Sequence, residues 1–175
     1  AGFIAIMSNF LFERLSLAIM AYMTAQLAYE AALEYTQQRK AFGRNIAGFQ
    51  VTRHKLVDMA TQIDVAREYT YRCAALMQAG KNPIKEVAMA KNFSVDVCEK
   101  VTREAVQLFG GMGFMRGTKS ERIYREVKVY MIGGGAEEVL SDLAARQLGW
   151  LPATASAAPT RPMMAPSTSS SLLTC

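Results

Sequence analysis

The chain has 175 residues, 51% of them hydrophobic and 20% charged, with a formal net charge of +5. That length and balance describe one soluble globular domain with a core of its own. No apolar run reaches the ~20 residues needed to cross a bilayer, because Arg14, Glu30 and Glu34 interrupt the first segment. The Lys and Arg residues are scattered among Glu, without the basic face that a nucleic-acid partner would require, so anionic small molecules are the partners to test.

The start, Ala1 to Met7, lacks both a basic flank and an initiator Met. It does not read as a signal peptide but as a cut through a longer protein. Cys73, Cys98 and Cys175 are far apart, and with a single histidine, His54, they have no metal-ligand spacing, so no metal site is expected. Cys73 and Cys98 fall in helical patterns and read as buried free thiols, consistent with a reducing, cytoplasmic setting.

The first element predicted is a long amphipathic helix from about Asn9 to Lys40, on which Leu15, Ile19, Met23, Leu27, Ala31 and Tyr35 recur every four residues as the expected buried face. Glu13 and Arg39, at its two ends, are ~39 Å apart at the usual helical rise and cannot serve the same small group of atoms. Arg44 to Phe49 reads as a short connection. A second helix from about Gln50 to Ala79 carries Leu56, Met59, Ile63, Ala66, Thr70, Cys73 and Met77 in alternating steps of three and four.

Gly80-Lys81-Asn82-Pro83 stops that helix, and Pro83 can open the next, since a first-turn proline loses no hydrogen bond it would have made. The third helix carries Val87, Ala90, Ser94, Val97, Val101, Ala105 and Leu108 as one apolar stripe, ended by Gly110-Gly111-Met112-Gly113. Thr118 or Ser120 can cap a fourth helix through about Ile132. Gly133-Gly134-Gly135 then breaks the chain before a short fifth helix, from about Ala136 to Leu148. No segment alternates apolar and polar residues, so the fold expected for 1–150 is all-α, an up-and-down bundle. Residues 151–175 are dominated by Ala, Ser, Thr and Pro, and read as a disordered, low-complexity tail.

Three features exceed what a plain bundle needs. Arg39-Lys40-Ala41-Phe42-Gly43 places two cations, an aromatic and a glycine at a helix end. The cations either complement the helix dipole or let Arg39 clamp a phosphate while Phe42 covers a ring. Gln107-Leu108-Phe109-Gly110-Gly111 is either a glycine helix stop or a place where a ligand approaches backbone amides. Gly133-Gly134-Gly135 is either a tight turn or a helix N-terminus presented to an anion.

Taken in order with Asn9-Phe10, Glu13-Arg14-Leu15, Gln38, Phe49-Gln50, Met112-Gly113-Phe114 and Arg122-Ile123-Tyr124-Arg125, these features resemble the C-terminal helical domain of the FAD-dependent acyl-CoA dehydrogenases, over nearly all of Gly2 to Trp150. The resemblance implies removal of the α-proton of an acyl-CoA thioester by a Glu and transfer of the β-hydrogen to flavin N5, giving a trans-2-enoyl-CoA. It further implies an electron-transferring flavoprotein as acceptor and a homotetramer, or dimer of dimers. Arg39, Phe42, Gln50, Gln107, Gly110 and Gly111 would contact the FAD of a neighbouring subunit, and Ala136 and Glu138 the subunit's own FAD.

The sequence departs from that pattern where it matters most. Many members carry the catalytic Glu in the turn before the last helix, where this chain has Gly134, and glycine cannot take a proton. The isovaleryl-CoA and long-chain branches carry it at the start of the helix matching the first one here, and the residue at that position is Glu13. Phe12, Arg14 and Gly135 are then the expected substrate contacts, with Phe12, Leu11 and Leu15 supplying apolar surroundings that would raise the carboxylate's pKa. Ala136 stands where the family usually has Thr, removing a hydroxyl. The family's two preceding domains are missing from these 175 residues, so the chain by itself is expected to be inactive. The alternative is a catalytically silent bundle that serves only as an oligomerisation or interaction module.

Overall fold

The computed structural model describes residues 2–150, with side chains from residue 9 onward; the expected tail at 151–175 lies outside the described residues. Its longest element is helix α1, Gly2–Gln38, which begins before the expected Asn9 and stops two residues short of Lys40. The buried face of α1 is also not the one expected. Leu15, Ala18, Ala21, Tyr22, Ala25, Ala28, Ala32 and Thr36 are buried, whereas Ile19, Met23 and Leu27 are 38% to 49% exposed. The reason is geometric: a step of four residues overshoots a 3.6-residue turn by about 40°, so a strict four-residue repeat winds round the helix instead of marking one face. The alanine face packs on α3, and its small side chains let the two backbones approach closely.

At the end of α1 the chain makes a hairpin that sequence periodicity could not reveal, because each strand is two residues long. Lys40–Ala41 (β1) pairs antiparallel with Arg44–Asn45 (β2), Lys40 opposite Asn45 and Ala41 opposite Arg44. Phe42 and Gly43 form the loop with φ of 51° and 79°, the positive values that two-residue hairpin turns favour because they match strand twist. Asn45 Nδ2 donates to the Gln37 carbonyl at 2.6 Å, and the Ile46 amide to Arg39 O at 2.9 Å. Carbonyls left unpaired at the helix end are thus satisfied. A 3-10 turn, Ile46–Gly48, leads into α2, Gln50–Gln78.

Helix α2 buries Leu56, Met59, Ile63, Ala66, Thr70 and Cys73 as expected, with Met77 half-buried. Helix α3, Ile84–Phe109, buries the expected Val87, Ala90, Ser94, Val97, Val101 and Ala105 together with a second stripe of Ala88, Lys91, Val95, Cys98 and Thr102. One stripe does not suffice because α3 is the central helix, in contact with α1, α2, α5 and α6. Full burial of large side chains such as Met59, Ile63 and Val95 contributes ~1.5–3 kcal/mol each. The buried hydroxyls of Thr70 and Thr102 donate one turn back, to Ala66 O and Cys98 O, both at 2.7 Å. Polar groups inside the core are paired in this way without breaking the helix.

The glycine stop after α3 is a short helix in its own right, α4, Gly111–Phe114. Gly113 packs so tightly that a Cβ there would lie 2.4 Å from Val106 O, so no side chain fits. Helix α5 spans Lys119–Ile132 and is capped by Thr118, whose Oγ1 accepts from the Glu121 amide at 3.4 Å; Ser120, the other candidate cap, is buried inside the helix. The triple glycine follows, and α6, Glu137–Gln147, closes the bundle with Leu140 and Ala144. The expected all-α bundle is found, with the hairpin as its only sheet among the described residues. No helix among them is long and apolar enough to cross a membrane.

Candidate active site

The sequence-predicted residues assemble in two places. The first is the triple-glycine turn between α5 and α6. Gly134 and Gly135 have φ of 67° and 117°, conformations that L side chains rarely adopt. Gly134 is also enclosed: a Cβ there would meet Leu17 Cδ1 at 2.7 Å. The turn is held by side chains from two other helices. Arg14 Nε donates to the Gly134 carbonyl at 2.9 Å, joining residues 120 positions apart, and its guanidinium lies 5.6 Å from the centre of the Phe10 ring. Burial lowers the pKa of Arg14, and the Glu13 carboxylate pulls it back upward.

Glu13 precedes Arg14 on α1, and its carboxylate is near enough to the guanidinium to act on it. Glu13 itself is exposed, Phe12 is 63% exposed, and Leu15 points into the core, so the apolar surroundings expected of Leu15 are not at the carboxylate. Gly135 and Ala136 are partly buried, Ala136 standing at the N-cap of α6 without a side-chain bond, and Glu138 is exposed in the first turn of that helix. Burial raises the pKa of the neighbouring Glu137, with Asp96 adding to the effect and Lys91 opposing it.

Two residues of α3 at this turn were not anticipated. Lys91 is completely buried, and its ammonium donates to Gly135 O at 2.9 Å and Met131 O at 3.1 Å. Its pKa is lowered, first by burial; Glu137 raises it and Arg14 lowers it further. Asn92 Nδ2 donates to Glu137 O at 2.8 Å. The available signal was a lysine lying in register with Val95, Cys98 and Thr102, inside an otherwise apolar stripe.

The second place is the far end of α1. Tyr35 stacks on Phe109 with ring centroids 4.4 Å apart, which draws the ends of α1 and α3 together. Arg39, Phe42 and Gln50 thereby share one end of the bundle with Gln107, Gly110 and Gly111. Phe42 is 94% exposed, with Phe49 edge-on at 6.3 Å. Arg39 has no carboxylate partner among the described residues, and a Cβ at Gly110 or Gly111 would meet nothing within 4 Å. An unpaired cation, an exposed aromatic held at positive φ, and open backbone suit a ligand with phosphates and flat rings, so the residues present fit the dinucleotide that the resemblance implies. From Arg14 to Tyr35 the two places are about 31 Å apart along α1.

Comparison with known proteins identifies the family and the fold. The family model for the acyl-CoA dehydrogenase C-terminal domain matches residues 1–149. An acyl-CoA dehydrogenase of Bacillus subtilis is 41% identical over 138 residues, which are 79% of this chain and 36% of the relative. The caffeyl-CoA reductase-Etf complex subunit CarC of Acetobacterium woodii is 37% identical over 138 residues, with the same shares of each chain. The crystal structure of an acyl-CoA dehydrogenase from Geobacillus kaustophilus superposes with a TM-score of 0.81 at 36% identity, over 83% of this chain and 38% of that one. The chain thus spans between a third and two-fifths of the length of these relatives. It belongs to the acyl-CoA dehydrogenase family, whose C-terminal helical domain it forms.

Proposed function

We propose that this chain is the C-terminal domain of an FAD-dependent enzyme that converts an acyl-CoA thioester to the trans-2-enoyl-CoA, with Glu13 as the base. The observation that supports this most directly is the Arg14–Gly134 hydrogen bond. It ties Arg14, the neighbour of the first exposed carboxylate of α1, to the turn that lacks a carboxylate of its own. Glu13 removes the α-proton, and for that it must be desolvated by parts of the enzyme beyond this domain, since the domain leaves it in water. Arg14 orients the turn and balances the carboxylate's charge. Phe12 and Gly135 border the acyl chain; the space beside Gly134 is already taken by Leu17, so that glycine adds no room for a bulkier one.

FAD, when bound, supplies the acceptor for the β-hydrogen. Arg39 would pair with its phosphates and Phe42 would cover a flat surface, with Gln50, Gln107, Gly110 and Gly111 lining the same end of the bundle. Ala136 offers a backbone amide at the start of α6 in place of the missing hydroxyl, and Glu138 lies beside it. The ~31 Å between the two places is consistent with service to two different flavins in an oligomer. Ile19, Met20, Met23 and Leu27 leave an apolar strip along the outside of α1, a surface suited to cover by a second subunit or by the rest of the enzyme. An electron-transferring flavoprotein is the acceptor this reading calls for, and the relative from Acetobacterium woodii is named as part of an Etf complex.

In the complete flavin-loaded enzyme, Glu13→Gln should keep the flavin but abolish its bleaching by acyl-CoA. Rapid bleaching by that variant would exclude Glu13 as the base. Failure of the unaltered, flavin-loaded protein to bleach with any acyl-CoA would instead favour a silent interaction module.

A further inference from the structure

We propose that Lys91 is a positioning residue for the reaction: its buried ammonium clamps the triple-glycine turn through the Gly135 and Met131 carbonyls, as Arg14 does through that of Gly134, and so fixes the wall against which the acyl-CoA is held. The inference rests on the acyl-CoA reading above, and extends it to a residue in the middle of α3.

Three successive glycines cost more conformational entropy to order than any other tripeptide, and none brings a side chain that could anchor the turn. The backbone's own bonds there are few: Gly133 N donates to Val129 O at 2.8 Å, and Gly135 N to Ile132 O at 3.3 Å, near the limit for such a bond. What holds the turn is a set of side chains from other helices. Arg14 takes the carbonyl of Gly134, Lys91 takes those of Gly135 and Met131, and Asn92 takes that of Glu137. Lys91 is the only one of these three to hold two carbonyls, that of the last glycine and that of Met131 two residues before the first, and it is completely buried.

A lysine is suited to this position. Met131 O is one of the last carbonyls of α5, where the helix dipole is negative and no residue further along that helix can donate to it. A buried ammonium gains from that field while two of its three N–H groups are taken up by the two carbonyls. Its long side chain reaches the turn from the middle of α3, a span that a shorter polar residue would not cover.

A role confined to stability predicts something different from a role in positioning. Replacing a buried charge with an apolar side chain of similar length relieves the desolvation of the charge, which offsets part of the cost of the two carbonyls left unpaired. The turn, however, would lose its anchors at Gly135 and at Met131 before it. In the complete flavin-loaded enzyme, Lys91→Met should therefore stay folded and keep its flavin. Hydrogen–deuterium exchange across residues 133–137 should rise about tenfold or more, with the α2 amides unchanged. The rate of flavin bleaching by acyl-CoA should fall by roughly tenfold to a hundredfold, as expected for a displacement on the order of 1 Å at the reacting atoms. The KM for acyl-CoA should shift much less than kcat.

Unchanged exchange at 133–137 would overturn the clamp, and unchanged bleaching with faster exchange would overturn its part in the reaction. If Lys91→Met does not accumulate as folded protein, the unaltered enzyme still decides: its 133–137 amides must exchange more slowly than those of the exposed segment 115–117, and equal rates would refute the proposal. An unaltered enzyme that no acyl-CoA bleaches would refute the acyl-CoA reading itself, while the exchange data continue to report on the clamp.

Discussion

Arg14 on the first helix and Gly134 in the last turn are joined by a 2.9 Å hydrogen bond that spans 120 residues of sequence. Charge-assisted bonds to a carbonyl contribute ~1.5–3 kcal/mol when well shielded, and this partly exposed one belongs at the lower end. Arg14→Gln should lower stability by about 1–2 kcal/mol, or roughly 2–8 °C in Tm for a domain of this size. Arg14→Lys, which keeps the charge but not the Nε at this distance, should recover only part of the loss. Thermal unfolding followed by circular dichroism measures both.

Gly134 admits no side chain without adjustment. Its φ of 67° disfavours an L residue by about 1–2 kcal/mol, and a Cβ would push on Leu17 at 2.7 Å. Gly134→Ala should therefore lower Tm by about 2–8 °C. The double variant Gly134→Ala with Leu17→Ala should show the strain of the new Cβ partly relieved, so that the two changes cost less together than their sum.

Phe42 offers the opposite test. It is a non-glycine residue at φ 51°, almost fully exposed, in a hairpin whose other loop residue is glycine. Phe42→Gly removes backbone strain of order 1 kcal/mol and an edge contact with Phe49 of similar size, so Tm should move by no more than about 3 °C. Flavin affinity of the complete enzyme, read by fluorescence titration, should nonetheless fall at least about tenfold if the ring covers the cofactor. Unchanged affinity would remove Phe42 from the flavin site.

The two described cysteines should behave as inert core residues. Burial raises the pKa of Cys73 to about 11 and that of Cys98 to about 12, with the charges of Glu86 and Glu99 adding to burial. At pH 8 only about one Cys73 in a thousand is the reactive thiolate, and fewer still of Cys98. Neither should react with iodoacetamide in the folded protein, and both should react in denaturant. The sign of the linkage follows: because the folded pKa values lie above the unfolded ones, the stability from burying neutral thiols is complete below about pH 8.5 and is lost as pH rises through 11 to 12. Cys73→Ala and Cys98→Ala should flatten that alkaline decline in a Tm-against-pH profile.

The helical class, the extents of α2, α3, α5 and α6 to within a residue or two, and the family are all legible in the order of the amino acids. Those readings rest on local chemistry: the three-and-four spacing along α2, the proline and glycine breaks, the threonine cap at α5. Sequence periodicity misread which face of α1 is buried, because alanines spaced three and four apart attract less notice than Ile19, Met23 and Leu27, and only the close approach of α3 chooses between the two faces. It passed over the hairpin, whose two-residue strands are too short to show a period. Tertiary structure alone decided that Arg14 and Lys91, from two different helices, grip the carbonyls of one glycine turn, and that the Tyr35–Phe109 stack unites two motifs some seventy positions apart. Sequence encodes what each residue can donate, accept or bury; which carbonyl lies within 3 Å of a given cation is set only when the helices have packed.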